Sequence, residues 1–100
     1  MMPQVYQVRG VATSIRTEDD WTHVRYHNTD VVSFNASTIV LRTGGWCTAA
    51  TKLRMNQTAN QYGLDFQVYQ KNHTWRVRTR TEDMLFGDGA DEHIIIRDLL

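Results

Sequence analysis

The sequence predicts an α+β domain: an antiparallel sheet of about six strands with one main helix, inserted before a C-terminal hairpin. Two observations lead to this prediction. Short runs of β-branched and aromatic residues are separated by turns rich in Asn and Gly, which is typical of strands and hairpins. This pattern is interrupted once, by a longer segment with helix signals at both ends. A chain of 100 residues has room for one core, so we expect a single domain over residues 1–100.

The strand pattern is clearest in residues 21–43, which predict a meander. Its three strands are WTHVRY, DVVSF and TIVLRT, its turns are HNT and NAS, and Gly44 and Gly45 close it. Residues 4–16 predict one or two further strands interrupted at Gly10, and the acidic run 18–20 predicts a solvated turn. The final run, HIIIRDLL, predicts a last strand that either closes the sheet or pairs with another protomer.

The helix is predicted over AATKLRMNQTANQY, with Thr48 as its N-cap and Gly63 ending it in the left-handed conformation. A helical projection gives one narrow stripe that can cover a sheet: Thr51, Met55, Ala59 and Tyr62. A second side carries the small residues Ala49 and Ala50. Two interpretations of that side remain open, contact with a partner subunit or a partly exposed surface.

The strongest hairpin signal joins LDFQVYQ to HTWRVRTR. If Lys71 and Asn72 form the two-residue turn, Gln70 pairs with His73. The apolar residues then meet in cross-strand pairs on a core face: Val68 with Trp75 and Phe66 with Val77. The opposite face is polar and carries Asp65, Gln67, Tyr69, Thr74, Arg76, Arg78 and Arg80.

Composition excludes some classes of function. A formal net charge of zero argues against binding to polymeric nucleic acid, because such binding is driven by counterion release and needs a basic excess. The chain has no apolar run longer than three residues and opens without a signal-peptide pattern, so we expect neither a membrane span nor secretion. The lone Cys47 cannot form an internal disulfide, which is consistent with a reducing cytosol.

The basic residues comprise nine Arg and two Lys. Arg favours bidentate contact with phosphate or carboxylate, although arginine-rich codon usage would give the same bias. Arg76 and Arg78 alternate on one predicted strand, beside Tyr69 and Gln67 on its neighbour. This set suits a nucleotide, with the ring for the base, guanidinium groups for phosphate and the amide for a base edge. The alternative is a solvated face of ion pairs with little net energy.

The segment RTGGWCTAATK is a second candidate site. A Gly-Gly turn leading into a Thr-capped helix presents backbone N–H groups to an anion. It lacks the spacing of a Walker loop, so nucleotide hydrolysis is not implied. Alternatively, the glycines only permit the turn and Trp46 fills the core.

Catalysis has little support in the sequence. His23 and His27 lie four apart in a predicted strand, about 13 Å from each other, and cannot chelate one metal ion. Cys47 has no companion base that spacing identifies. We therefore predict no enzyme, no catalytic residue, no metal and no cofactor.

Several segments together resemble a family of small phage-encoded proteins. The residues that carry the likeness are Tyr26 to Thr29, Gly44 to Trp46, Thr51 and Lys52, Arg54 to Asn56, and Val68 to Lys71 with Trp75. This family in turn is similar to the first group of phage Thoeris anti-defence proteins, cytosolic sponges that hold cyclic ADP-ribose isomers, and in some members cyclic oligonucleotides, without cleaving them. The resemblance implies an α+β protomer, a homo-oligomer and an anionic nucleotide ligand.

The function predicted from these observations is sequestration of a cyclic nucleotide-type immune signal. The candidate phosphate ligands are Arg25, Arg42, Arg54, Arg76 and Arg78. The candidate base and base-edge contacts are Tyr62, Phe66, Tyr69, Asn56, Gln67 and Asn72. Three locations remain open: the hairpin face, the Gly-Gly helix start and a subunit interface. The alternatives are a phage inhibitor of a host protein and a small single-stranded nucleic-acid-binding protein.

Overall fold

Two antiparallel sheets and one helix make up the fold. The computed structural model describes residues 10, 12–45, 47–89 and 91–97. The elements are β1 (Thr13–Glu18), β2 (Trp21–Tyr26), β3 (Thr29–Phe34), β4 (Thr38–Arg42), α1 (Ala49–Tyr62), β5 (Phe66–Lys71), β6 (Thr74–Thr79), β7 (Asp83–Leu85) and β8 (Glu92–Ile96). The α+β class, the antiparallel strands and the single main helix are confirmed.

The strands are divided between a five-stranded sheet, β1-β2-β3-β4-β8, and a three-stranded sheet, β5-β6-β7. We call these sheet A and sheet B. The predicted meander is β2 to β4, and the last strand pairs antiparallel with β4 inside the same protomer. The sequence did not predict β7 because it has only three residues, too few for a period-two pattern, and is followed directly by a 3-10 turn over Phe86–Gly89. The strand predicted within residues 4–9 and the packing of Trp46 lie outside the described residues.

Helix α1 begins and ends where the sequence predicted. The Thr51 N–H donates to Oγ1 of the N-cap Thr48 at 3.2 Å, and Gly63 has φ 64°. Met55 and Ala59 on the predicted stripe are buried. Tyr62 is 36 % exposed, with its ring centroid 4.9 Å from that of Phe34. The helix packs against β5, β3 and β2, and it is buried on more than one side: Arg54, Gln57 and Thr58 also belong to the interior.

The β5–β6 hairpin has the predicted faces but not the predicted register. Its turn is Asn72–His73, and Val68 lies opposite Val77 rather than Trp75. The predicted register is therefore wrong by two residues. A two-residue hairpin turn of type I′ needs positive φ at both central positions, and here Asn72 and His73 supply it, with φ 52° and 64°. Each side chain still lies on its predicted face of the hairpin, because the register shifts by an even number of residues.

A bulge in β3 shapes the end of the β2–β3 hairpin. Val24 pairs with Val32, but Arg25 pairs with Asp30, so Val31 is an extra residue on the β3 side. The bulge lets Val31 turn inward, where its side chain is 1 % exposed. The core lies between the sheets and the helix and contains Val24, Val32, Ile39, Leu41, Met55, Leu64, Val68, Val77 and Phe86.

Candidate functional site

The structure separates the predicted site residues into three groups. One group lies on the outer face of the β5–β6 hairpin: Gln67, Tyr69, Arg76 and Arg78, with Asn72 in the turn. Another lies on the outer face of sheet A: Arg25 and Arg42. The third lies on or next to α1: Arg54, Asn56, Tyr62 and Phe66.

On the hairpin face, the cations share a carboxylate. The hydroxyl of Tyr69 donates to Asp83, and Nε of Arg76 lies 3.0 Å from the same carboxylate. The guanidinium of Arg78 stacks over the Tyr69 ring, 4.8 Å from its centroid. The Tyr69 hydrogen bond, followed by those from Arg76, lowers the pKa of Asp83. The polar groups of this face are therefore already engaged by a carboxylate of the protein itself.

On the outer face of sheet A, Asp30 forms ion pairs with two arginines. Arg16 binds it in a bidentate manner at 2.8 and 2.9 Å, and Nε of Arg25 lies 3.3 Å away. The hydrogen bonds from Arg16 are the main reason that the pKa of Asp30 falls from 3.8 to about 2. Nε of Arg42 pairs with Glu92 at 3.2 Å. The predicted phosphate ligands Arg25 and Arg42 thus hold carboxylates of the protein itself.

Asn56 and Phe66 serve the fold. The side-chain amide of Asn56 is hydrogen-bonded to both backbone groups of Val68. Phe66 is 7 % exposed because it alternates with the outward Gln67 on β5. Its ring packs in the core, although Phe66 also lines a pocket of about 420 Å³ together with Gln67 and Arg78. Its role as a base contact stays a prediction.

Arg54 differs from the other predicted phosphate ligands because it is buried and forms no ion pair with a carboxylate of the described residues. Its guanidinium carbon lies 5.0 Å from the centroid of the Tyr26 ring, and its Nε donates to Thr13 Oγ1 at 2.7 Å. It packs against Gly10 so closely that a Cβ there would lie 2.0 Å from Nη2. The residue is 8 % exposed, and within the described part of the chain no ion pair joins it to a carboxylate. An uncompensated buried charge costs several kcal/mol.

A cavity of about 340 Å³ lies between the β2–β3 turn and the first turn of α1, and one of its lining residues, Tyr26, is the ring that Arg54 contacts. We call it the helix-start cavity. Its lining residues are Tyr26, His27, Asn28, Thr29, Val31, Thr43, Thr48 and Thr51. The ring centroids of Tyr26 and His27 are 4.4 Å apart. The walls thus combine two rings, one amide and several hydroxyls, with an apolar floor at the buried Val31.

Two turns with left-handed residues build this cavity. His27 has φ 55°, and its N–H donates to Ala12 O at 2.9 Å. Gly44 has φ 62°, and a Cβ at this position would lie 2.2 Å from Thr29 Oγ1. Only glycine therefore allows the end of β4 to approach the β2–β3 turn. Thr43, the residue before Gly44, holds the end of β4 in place because its hydroxyl donates to Asp91 Oδ1 at 3.1 Å.

The helix-start cavity lies at the Gly-Gly segment that the sequence offered as a second candidate site. None of the predicted ligand-binding residues lines it, although Arg54 contacts the ring of its lining residue Tyr26. The lining residues Tyr26 to Thr29 carry part of the family resemblance, yet in the sequence they have the composition of an ordinary turn. Only their proximity to the helix start marks them as wall residues, and that proximity is tertiary.

A second cavity, of about 400 Å³, is lined by Cys47, His73, Trp75 and Asp91 among others. A thiol, an imidazole and a carboxylate thus border one space. Across the residues that the structure covers, no hydrogen bond joins the thiol to the imidazole, and no cluster of His, Cys, Asp or Glu could hold a metal ion. The arrangement lacks the base–nucleophile contact that covalent catalysis requires.

Comparison with known proteins gives one match. A family model described as Kyanoviridae Gp96 protein matches residues 5–92. No curated protein and no solved structure matches the chain. In the part of the chain that the structure describes, the helix is too short and too polar to cross a membrane.

Proposed function

We infer that this protein, which belongs to the Kyanoviridae Gp96 family of phage proteins, binds a small nucleotide-type anion in the helix-start cavity without covalent chemistry. In the infected host cell such binding would sequester a cyclic nucleotide-type immune signal, either a cyclic ADP-ribose isomer or a cyclic oligonucleotide. The resemblance to the Thoeris anti-defence group supplies the identity of the signal. The geometry supports the chemical class of the ligand.

The observation that carries the proposal is a buried cation, Arg54, in contact with an aromatic residue that lines the cavity. The guanidinium of Arg54 lies over the Tyr26 ring, and Tyr26 lines the cavity. One neutral hydrogen bond and one cation–π contact, worth about 0.5–2 kcal/mol, do not offset the desolvation of a buried guanidinium. An anion bound in the cavity would supply the missing negative charge in a setting where solvent screens it little.

The other walls suit the neutral parts of a nucleotide. Tyr26 and His27 offer ring surface for a base, and Asn28 offers an amide that can donate to and accept from a base edge. The first turn of α1 leaves backbone N–H groups without partners inside the helix, which favours phosphate at that end. Ligand pockets usually measure about 300–1,000 Å³, so a cavity of about 340 Å³ suits one nucleoside unit. A larger cyclic ligand would extend beyond it.

Isothermal titration calorimetry with purified ligands tests the proposal. The panel comprises cyclic ADP-ribose isomers, a cyclic dinucleotide and AMP, with adenosine as the uncharged control and a single-stranded oligonucleotide as the polymer control. We expect at least one cyclic ligand to bind more tightly than adenosine or the oligonucleotide. After denaturation of the complex, mass spectrometry should recover that ligand intact.

Three variants locate the site. Arg54→Met removes the buried cation, Asn28→Ala changes the cavity wall, and Arg78→Ala changes the hairpin face as the matched control. We expect the first two to weaken binding by about tenfold or more, equivalent to at least about 1.4 kcal/mol, and the third to have no effect. Loss of binding in Arg78→Ala alone would move the site to the hairpin face and refute the cavity. Failure of every ligand to bind, or recovery of a cleaved ligand, would refute the function.

A further inference from the structure

Strand β8 has an open edge and the two most exposed aliphatic side chains in the described part of the chain. It is the last strand of sheet A, and among the described residues it pairs with β4 alone. Ile94 is 57 % exposed and Ile96 is 46 % exposed. Both lie on the outer face of the sheet, since the alternate residues His93 and Ile95 are buried on the inner face.

The hydrogen bonds that bracket the β4–β8 pair show which backbone groups face the open side. Arg97 N–H donates to Ser37 O at 2.8 Å, and Thr43 N–H donates to Asp91 O at 2.9 Å. Hydrogen-bonded pairs alternate in an antiparallel ladder, so His93 and Ile95 also bond to β4. The N–H and C=O groups of Glu92, Ile94 and Ile96 therefore point away from the sheet.

This edge lacks the features that usually prevent strand addition. Between Glu92 and Ile96 there is no proline, no lysine and no bulge. The two edges of sheet A differ in charge, because β8 carries one acidic residue, Glu92 at its first position, whereas β1 carries Arg16 and Glu18. Charged side chains on an edge oppose pairing with another chain. Of the two edges of sheet A, β8 is the one suited to accept another strand.

We propose that two copies of this chain pair antiparallel through β8 about a two-fold axis, which joins their two A sheets into one. The axis passes Ile94, which lies opposite Ile94 of the second copy. Glu92 and Ile96 then pair with Ile96 and Glu92 of that copy. All the outward backbone groups of the strand are satisfied in this register.

Charge complementarity favours a second copy over an unrelated strand. In the register centred on Ile94, Asp91 of each copy lies opposite Arg97 of the other, so that opposite charges meet at each end of the interface. Within the protomer, Asp91 accepts a hydrogen bond from Thr43 and Arg97 donates one to the Asn35 carbonyl, and these bonds hold the two side chains at the ends of the strand. A two-fold axis produces both pairs from one sequence. The pairing does not depend on the proposed ligand, and it also specifies which surface would form the homo-oligomer expected from the sequence.

Sedimentation velocity over a range of protein concentrations tests the pairing. We expect a concentration-dependent dimer, because an interface built on one short strand lies at the small end of stable interfaces. Ile94→Lys places two lysines opposite each other at the axis. Repulsion between these like charges should raise the dimer dissociation constant by at least about tenfold. Ile15→Lys is the control, since Ile15 is also exposed, at 41 %, but lies on β1.

A charge-reversal pair tests the register. Asp91→Lys alone should weaken the dimer, and Asp91→Lys combined with Arg97→Glu should restore it. Ligand titration of Ile94→Lys separates this proposal from the proposed function, because the variant keeps the whole helix-start cavity. A protein that is monomeric at every concentration, or a dimer that Ile94→Lys leaves intact, would overturn the pairing. Dissociation by Ile15→Lys instead would assign the interface to β1 and overturn it equally.

Discussion

Asn56 of α1 makes with Val68 both hydrogen bonds that a neighbouring strand would make. Its Nδ2 donates to Val68 O at 2.9 Å, and its Oδ1 accepts the Val68 N–H at 2.8 Å. Strand β5 is an edge of sheet B, so these backbone groups have no strand to pair with on that side. A side-chain amide thus joins the helix to the sheet.

Removing this amide should destabilise the protein. Asn56→Ala leaves the Val68 N–H and C=O without their partners, and an unsatisfied buried group costs about 1–3 kcal/mol. We expect urea denaturation to show a loss of about 2 kcal/mol in the free energy of unfolding. The exposed Asn28 in the β2–β3 turn provides the control, since Asn28→Ala should change stability much less. Equal losses in the two variants would contradict the structural role of Asn56.

Gly44 and Gly45 should respond differently to a methyl group. Both have positive φ, but a Cβ on Gly44 meets Thr29 Oγ1 at 2.2 Å, whereas a Cβ on Gly45 has nothing within 4 Å. Gly45→Ala should cost about 1 kcal/mol for the left-handed backbone. Gly44→Ala should cost about 2–3 kcal/mol, because the clash adds to that term.

Thermal or urea denaturation measures both variants, and a second substitution isolates the clash. Thr29→Ala removes the Oγ1 and Cγ2 atoms nearest to the new methyl group. It should recover part of the stability lost in Gly44→Ala and none of that lost in Gly45→Ala. A loss in Gly44→Ala no larger than that in Gly45→Ala would show that Thr29 does not limit this turn.

Asp30 should make stability depend on pH in the acid range. Its pKa in the folded protein is about 2, below its usual 3.8, so the folded state favours the ionised form. The stabilisation is fully present above about pH 4 and is lost as the pH falls through about 2. Asp30→Asn should therefore lower the free energy of unfolding at pH 7 by about 1 kcal/mol, a modest value because Arg16 and Arg25 remain open to solvent.

Urea denaturation at several pH values checks this expectation. The difference between Asp30→Asn and the unaltered protein should shrink steadily from pH 4 towards pH 2. Asp20→Asn, at an exposed turn, is the matched control and should show no such convergence. A difference that stays constant down to pH 2 would contradict the assigned ion pairs.

The β5–β6 turn offers a stabilising substitution. His73 has φ 64°, a conformation that glycine adopts without the Cβ penalty, and Asn-Gly is the preferred type I′ pair. We expect His73→Gly to raise the free energy of unfolding by about 0.5–1 kcal/mol, because relief of the left-handed backbone strain, about 1–2 kcal/mol, exceeds the entropy cost of glycine, about 0.5–1 kcal/mol. Lys71→Gly, which would suit the turn predicted from sequence, should destabilise instead because Lys71 lies in β5. Stabilisation by Lys71→Gly would support the predicted register over the observed one.

Much of the fold could be predicted because its signals are local. Thr48 and Gly63 mark the ends of α1 through interactions within one helical turn, and the meander from β2 to β4 is marked by short turns. The hairpin register was missed because it depends on which two residues adopt positive φ, and Asn72 is compatible with either turn. The division into two sheets was missed because it depends on how β8 returns to pair with β4, across most of the chain.

The candidate site could be predicted only in outline. The alternation of Arg76 and Arg78 correctly indicated a common face, but Asp83 reaches that face from β7, a strand that the sequence did not predict. Arg25 likewise meets Asp30 only through the β3 bulge. The sequence shows how many arginines the chain has. Which carboxylate pairs with each of them depends on the tertiary structure.

By itself, the sequence determined the fold class, the helix and its caps, and the faces of the strands, because these follow from backbone preferences and side-chain periods over a few residues. The tertiary structure decided that Arg54 is buried without an ion pair to any described carboxylate, and where the cavity lies. Arg54 is buried against Tyr26, more than twenty residues away in the sequence, because α1 packs over sheet A. The electrostatic cost of a buried charge depends on its surroundings, and only the folded chain supplies them.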